Sequence, residues 1–180
     1  MKEGTGGFSQ PETILEQLTL RDNMTVADFG CGHGYFSLPL AGLVNQGKVY
    51  SLDVMEEALQ AVNSQAQLEG AANIETIHCN LEISAGSKLT EDSIDLVLLA
   101  NILFQSQKKS AILKEAKRVL KKDGQLVLIE WIVGSSLAPK QGWFISKEEA
   151  RKLVETEGLT LDKELTMDNQ HYGMVFKKYV

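Results

Sequence analysis

Apolar positions alternate between two spacings along the chain. Near-continuous apolar runs at Val26 to Phe29, Ile94 to Ala100 and within Gln125 to Val133 suit strands that a parallel sheet buries on both faces. Between them, apolar residues recur at helical spacing. Pro11 with Ile14, Leu15 and Leu18 predicts a short helix with one inward stripe, and Phe36, Leu38, Leu40, Ala41, Leu43 and Val44 predict a largely buried one. Lys48 to Val54 reads as a strand, and Glu56 to Glu69 as a helix that buries Ala58, Leu59, Val62, Ala66 and Leu68 and stops at Gly70. Asn73 to Cys79 is a weaker strand. Ser110 to Leu120 places Ile112, Leu113, Ala116, Val119 and Leu120 on one helix face, with Gly124 as the breaker before the strand Gln125 to Val133.

The pattern then changes. Gly134 to Gly142 is a loop, and Ser146 to Glu149 is a capping box that opens a helix ending near Gly158. Leu159 to Met167 and Tyr172 to Tyr179 read as strands, and the brief link Asp168 to His171 requires them to pair antiparallel. Repeated strand-helix units with right-handed crossovers predict a three-layer α/β fold, a doubly wound and mostly parallel sheet finished by a C-terminal antiparallel pair.

Composition narrows the class. With 180 residues, 43% of them hydrophobic, the chain is expected to form one domain over 1–180 whose core needs no disulfide or metal staple. Residues 1–10 read as a flexible glycine-rich lead. No apolar run approaches the roughly 20 residues that cross a bilayer, and no apolar segment follows Lys2, so neither membrane insertion nor a signal peptide is expected and the cytoplasm is the expected location. Cys31 and Cys79 show no metal-ligand spacing and are expected as free thiols, with no metal. A net charge of -6 disfavours a nucleic-acid partner, and the pairs Lys108-Lys109 and Lys121-Lys122 read as solvated helix ends.

In open sheets of this kind ligands bind beyond the carboxyl ends of the strands, where strand order reverses. There the chain places Asp28-Phe29-Gly30-Cys31-Gly32-His33-Gly34-Tyr35-Phe36, whose alternate glycines bring backbone close to a ligand at a helix N-terminus. Asp53 closes the second strand, where a carboxylate can accept both hydroxyls of a ribose. The pair describes a nucleoside pocket. The dinucleotide fingerprint fails, because Tyr35 occupies its sixth position and the third glycine arrives early at Gly34, and a phosphate loop would need Gly-Lys-Ser/Thr.

These residues resemble the motifs of class I S-adenosylmethionine-dependent methyltransferases. Val26 to Gly34 is similar to the first motif, Asp53 to the acidic second, Cys79-Asn80-Leu81 to the third, Ile94 to Asn101 to the fourth, and Leu120 to Val127 to the late helix-turn-strand signature. The likeness covers roughly residues 8 to 178 and leans to the quinone-biosynthesis-like branch. It implies a Rossmann-like domain that binds S-adenosylmethionine and leaves S-adenosylhomocysteine after in-line methyl displacement. It also implies that Gly30, Cys31 and Gly32 pass under the methionine moiety, Asp28 holds its ammonium, and Asp53 clasps the ribose. Val54, Met55, Asn80 and Leu81 would meet adenine, Tyr35 and Phe36 would wall the pocket, and Ala100 and Asn101 would line the methyl side. Asn80 departs from the family's more common Asp and is expected to weaken cofactor binding somewhat, since an amide brings no charge.

The acceptor side is open to several readings. Phe8, with Ser9 and Gln10, could fold over the site, Gln105 and Ser106 follow the fourth motif, and loop 134–145 lies near the acceptor side. Trp131 with Trp143 and Phe144 could form an aromatic acceptor pocket or simply pack in the core. His171 could transfer a proton or cap a turn, His33 could touch cofactor or face solvent, and His78 reads as structural. Cys31 reads as a small side chain rather than a nucleophile. The expected partner is a small-molecule methyl acceptor, with the protein a monomer or homodimer. The rival reading is a non-catalytic cofactor-binding subunit, with an NAD-binding protein further behind.

Overall fold

The structure, a computed structural model, describes residues 10–180. The parallel strands β1 (Thr25–Phe29), β2 (Lys48–Asp53), β3 (Ile74–His78), β4 (Ile94–Ala100) and β5 (Leu120–Trp131) are followed by β6 (Thr160–Leu165) and β7 (His171–Lys177). They form one sheet in the order β3-β2-β1-β4-β5-β7-β6, with β7 antiparallel to both β5 and β6. The expected doubly wound sheet with an antiparallel finish is therefore present.

Every central strand is apolar at consecutive positions because each face meets its own helical layer. On one face Phe29, Val97, Leu99, Leu128 and Phe176 pack with Leu113 and Ala116 of α4 (Lys109–Val119) and Ala150 and Val154 of α5 (Lys147–Thr156). On the other, Val26, Leu96, Leu98 and Ile129 pack with Ile14 and Leu15 of α1 (Pro11–Leu15) and Leu40 and Ala41 of α2 (Ser37–Leu43). Burial on this scale, at about 25 cal/mol per Å² of apolar surface, is the dominant force holding the layers. Among the described residues no helix is long and apolar enough to cross a membrane.

Local signals operate as their chemistry requires. Gly70 ends α3 (Glu56–Glu69) at φ 71, a left-handed conformation that glycine adopts without strain. The Ser146 hydroxyl accepts the Glu149 N–H while the Glu149 carboxylate accepts the Ser146 N–H, completing the capping box of α5. Two expected core positions are instead exposed. Leu43 and Leu68 stand about half a turn round their helices from buried Ala41 and Leu59, and so face solvent.

The start of β5 also differs from the expected helix-glycine-strand boundary. The helix ends at Val119, Leu120 already pairs with Ile94, and the register shifts before Leu96 meets Gln125. Asp123 takes the left-handed turn at φ 62, while Gly124 is needed because a Cβ there would lie 2.8 Å from the Lys121 carbonyl oxygen. Lys178 Nζ donates to the carbonyl oxygens of Lys117 and Leu120 and so satisfies the end of α4.

Candidate active site

The order reversal between β1 and β4 opens a furrow above the carboxyl ends of the strands. Gly30 leaves β1 at φ 74 and Gly32 follows at φ 51, conformations that would strain a side chain. A Cβ on Gly30 would lie 2.0 Å from Ile102 Cδ1, whereas one on Gly32 would meet nothing within 4 Å, so backbone is laid bare there. The N–H groups of Gly30 and Cys31 both donate to the Leu52 carbonyl oxygen, at 2.7 and 2.9 Å. This ties the first corner to the second.

Asp53 completes the tie. Its Oδ2 accepts the Gly32 N–H at 2.9 Å and its Oδ1 accepts the Met55 N–H at 2.9 Å. Each carboxylate oxygen can accept a further hydrogen bond, so the group is held in place yet retains capacity for hydroxyl donors. Beneath it, buried Asp28 accepts from the Ser37 hydroxyl at 2.7 Å, which in turn accepts from the Ser51 hydroxyl at 2.7 Å. Burial, opposed by the Ser37 hydrogen bond, pushes the Asp28 carboxyl up to about 7. The buried Cys31 thiol is pushed up by desolvation and by Asp28 and Asp53, so it stays protonated.

Two hollows follow the furrow and share Ile102 and Gln105. The first, about 220 Å³, is lined by Asp28, the glycine corner, Tyr35, Phe36, Ala100 and Asn101. The second, about 320 Å³, is lined by Val54, Asn80, Leu81, Ser106 and neighbours. The structure thus brings together the residues expected at the methionine end and most of those expected at the adenine end, with Met55 exposed beside the second. The Asn80 side chain is occupied in a turn, its Oδ1 accepting the Glu82 N–H at 2.9 Å. Tyr35 and Phe36 meet edge to face with ring centres 5.2 Å apart.

The acceptor side departs further from expectation. Trp131 is buried and lies against the His171 ring at 4.1 Å, while Phe144 stacks on Phe104 at 5.3 Å and Trp143 is 51% exposed. The aromatic trio therefore builds no common pocket. Trp143 and Phe144 sit on a loop whose neighbours are set by Phe104, whose carbonyl oxygen accepts the Trp143 N–H. Phe8 and Ser9 lie outside the described residues, and Gln10 is exposed ahead of α1. Gln105 Nε2 donates to the Asn101 carbonyl oxygen at 2.7 Å. A third hollow, about 460 Å³, opens between Ile132, Val133, Leu165, Met167, His171 and Tyr172.

Several residues in the site were not singled out from the sequence. Ile102 packs over Gly30, and Ser37 and Ser51 support Asp28. Buried Glu130 accepts the Leu103 N–H and is pushed up to about 7 by desolvation. A lone carboxylate inside the apolar run Leu126 to Trp131 was the available signal for it.

The site fits an adenosyl sulfonium amino acid. Asp28 is a buried acid with no cation bonded to it among the described residues, a setting that an ammonium would complete, and Asp53 offers acceptors where a ribose would lie. The described residues contain no cluster of three His, Cys, Asp or Glu side chains that could hold a metal. Another hollow, about 750 Å³, is at the opposite end of the sheet, where Lys121, Lys178 and Arg118 are already paired with Asp95, Asp92 and Glu115.

Comparison with known proteins agrees with this fold. The profile of a family described as a methyltransferase domain matches residues 20–173. A protein of Methanosarcina mazei named for cobalt-precorrin-6B C(15)-methyltransferase (decarboxylating) activity is 34% identical over 51% of this chain and 51% of its own length. A demethylmenaquinone methyltransferase of Lactococcus lactis is 27% identical over 86% of this chain and 64% of its own. Among solved structures, a SAM-dependent methyltransferase from Aquifex aeolicus superposes with a TM-score of 0.83 at 24% identity, over 94% of this chain and 89% of that one. The chain spans only 51% and 32% of the first two curated relatives it matches. The relatives do not share an acceptor, since a ribosomal RNA and a ribosomal protein methyltransferase are also among them.

Proposed function

Because the chain belongs to the class I S-adenosylmethionine-dependent methyltransferase family, we propose that it transfers a methyl group from that cofactor to a small-molecule acceptor. The observation that carries this reading is the Asp53 carboxylate, held across the first two strand-to-helix corners by the N–H groups of Gly32 and Met55. When bound, S-adenosylmethionine supplies an electrophilic methyl on a good leaving group. The protein's part is then placement.

Asp53 would receive the ribose hydroxyls and Asp28 the ammonium, while Gly30, Cys31 and Gly32 let the methionine moiety pass close to backbone. Val54, Met55, Asn80 and Leu81 would bound the adenine. Ala100 and Asn101, at the end of β4, would face the reacting carbon, with Tyr35 and Phe36 excluding water. Gln105, Trp131 and His171 would bound the acceptor side, and holding the acceptor in line with the methyl can provide several kcal/mol of acceleration. A small acceptor is supported by the hollow of about 460 Å³ beside His171 and by the net charge of -6, which repels a phosphate backbone.

Titration calorimetry with S-adenosylmethionine and S-adenosylhomocysteine tests the cofactor. Asp53→Ala should weaken either by about 100-fold, since it removes charge-assisted hydrogen bonds and loosens both corners. Binding of NAD in place of these ligands would reject the reading. Labelled methyl transfer into a metabolite fraction, rather than into RNA or protein, tests the acceptor class, while tight binding without any transfer would favour a non-catalytic cofactor-binding subunit.

A further inference from the structure

Asn101, His171 and Asp168 form a hydrogen-bonded chain that joins the end of β4 to the β6–β7 turn. Asp168 Oδ1 accepts the backbone N–H groups of Gln170 and His171 at 2.8 and 2.9 Å, and its carboxylate lies 2.9 and 3.2 Å from His171 Nδ1. A carboxylate can only accept, so the imidazole proton sits on Nδ1 and leaves Nε2 as an acceptor. Desolvation of the buried ring outweighs Asp168 and holds His171 below the usual imidazole range, which keeps it neutral.

His171 Nε2 lies 3.3 Å from Asn101 Nδ2. An acceptor there selects the amide N–H, which fixes which way the Asn101 side chain faces. Asn101 itself is held at φ 57 by its N–H bond to the Ile129 carbonyl oxygen, and it lines the hollow that also contains Asp28 and Gly30. Its Oδ1 is buried with no hydrogen-bond partner among the described residues. A buried oxygen left unpaired is costly, and an incoming N–H removes the cost.

We propose that Asp168 and His171 are positioning residues that orient the Asn101 amide oxygen to receive a hydrogen bond from the methyl acceptor, and that this acceptor is a neutral amine bearing at least one N–H. The inference rests on the methyl-transfer reading. On transfer the amine lone pair forms the new bond to carbon, the carbon–sulfur pair returns to sulfur, and the cationic nitrogen releases its proton to water. Asn101 adds no base, which is why an amine fits and a weakly nucleophilic alcohol does not.

Aniline and N,N-dimethylaniline, titrated into the complex with S-adenosylhomocysteine and followed at the Asn101 side-chain amide by NMR, test the assignment. Aniline should bind at least about tenfold more tightly, the difference expected for one buried hydrogen bond. Nitrogen-15 spectra should show the His171 proton on Nδ1. Asp168→Asn keeps Oδ1, which accepts both turn N–H groups and lies 2.9 Å from Nδ1, so the Nδ1 proton and the preference for aniline should survive, whereas Asp168→Ala removes that acceptor and the preference should fall. His171→Phe should bring the ratio to about one. A proton on Nε2 in the wild type, or equal affinity for both probes, would overturn the proposal. Absence of S-adenosylhomocysteine binding in calorimetry would overturn the methyl-transfer reading instead, while the histidine tautomer still reports on the chain.

Discussion

At the amino ends of the strands, buried Glu115 accepts from Arg118, the Ser87 hydroxyl and the Ser87 N–H, and these bonds hold it below its usual range despite burial. Asp95 is paired there with Lys121 at 2.9 Å and also accepts the Thr25 N–H at 2.8 Å. At the carboxyl ends of the same sheet, Asp28 and Glu130 are as deeply buried, yet neither bonds to a cation among the described residues and both are pushed up to about 7. Burial is common to both ends; partnership is not. One end closes its electrostatics within the chain, and the other leaves a carboxylate whose best partner is a positively charged ligand.

The contrast is most exposed by Asp28→Asn. A neutral side chain removes the cost of ionising a buried acid, up to roughly 4 kcal/mol for a shift from 3.8 to about 7, so the ligand-free variant should unfold at higher urea while binding S-adenosylmethionine at least tenfold more weakly. At the other end Glu115→Ala should lower unfolding free energy by about 2–3 kcal/mol and leave cofactor affinity unchanged, because Arg118 keeps some access to water when its partner is lost.

pH separates the two ends further. Folded Asp28 and Glu130 hold protons that the unfolded chain releases from about pH 4 upward, so their contribution to stability is greatest in acid and declines as pH rises toward 7. Glu115 acts with the opposite sign, stabilising above its unfolded pKa and failing as pH falls below it. Urea titrations between pH 5 and 8 should therefore show a falling unfolding free energy that flattens in the Asp28→Asn, Glu130→Gln double variant. Cofactor affinity should move the other way, weakening up to tenfold per unit below about pH 7 in the wild type and staying nearly flat in Asp28→Asn. The smallest effect is expected for Asn80→Asp. Aspartate can accept the same Glu82 N–H, so calorimetry should find less than about a threefold gain.

Much of the fold can be read from residue order. Consecutive apolar residues from Leu96 to Ala100 required a helical layer on each face, and the link before His171 was too short for anything but antiparallel pairing. The first two corners were equally legible, because alternate glycines and a strand-ending aspartate are local demands of backbone geometry and hydrogen bonding. The β5 boundary was not, since a register shift at Leu120 depends on what Ile94 and Lys178 offer from elsewhere. Nor were the fates of Trp131, Trp143 and Phe144, which depend on the rings that reach them.

Short-range chemistry along the chain specified the layers, the glycine corner and the strand-ending carboxylate of Asp53, since each depends on a few neighbouring residues. The three-dimensional packing assigned Ile102 to Gly30, Ser37 and Ser51 to Asp28, and His171 to Asn101. Asn101 and His171 are 70 residues apart, and no periodicity or motif encodes which distant side chains will share one desolvated space. Burial changes the protonation and orientation of such groups only once the whole sheet has formed.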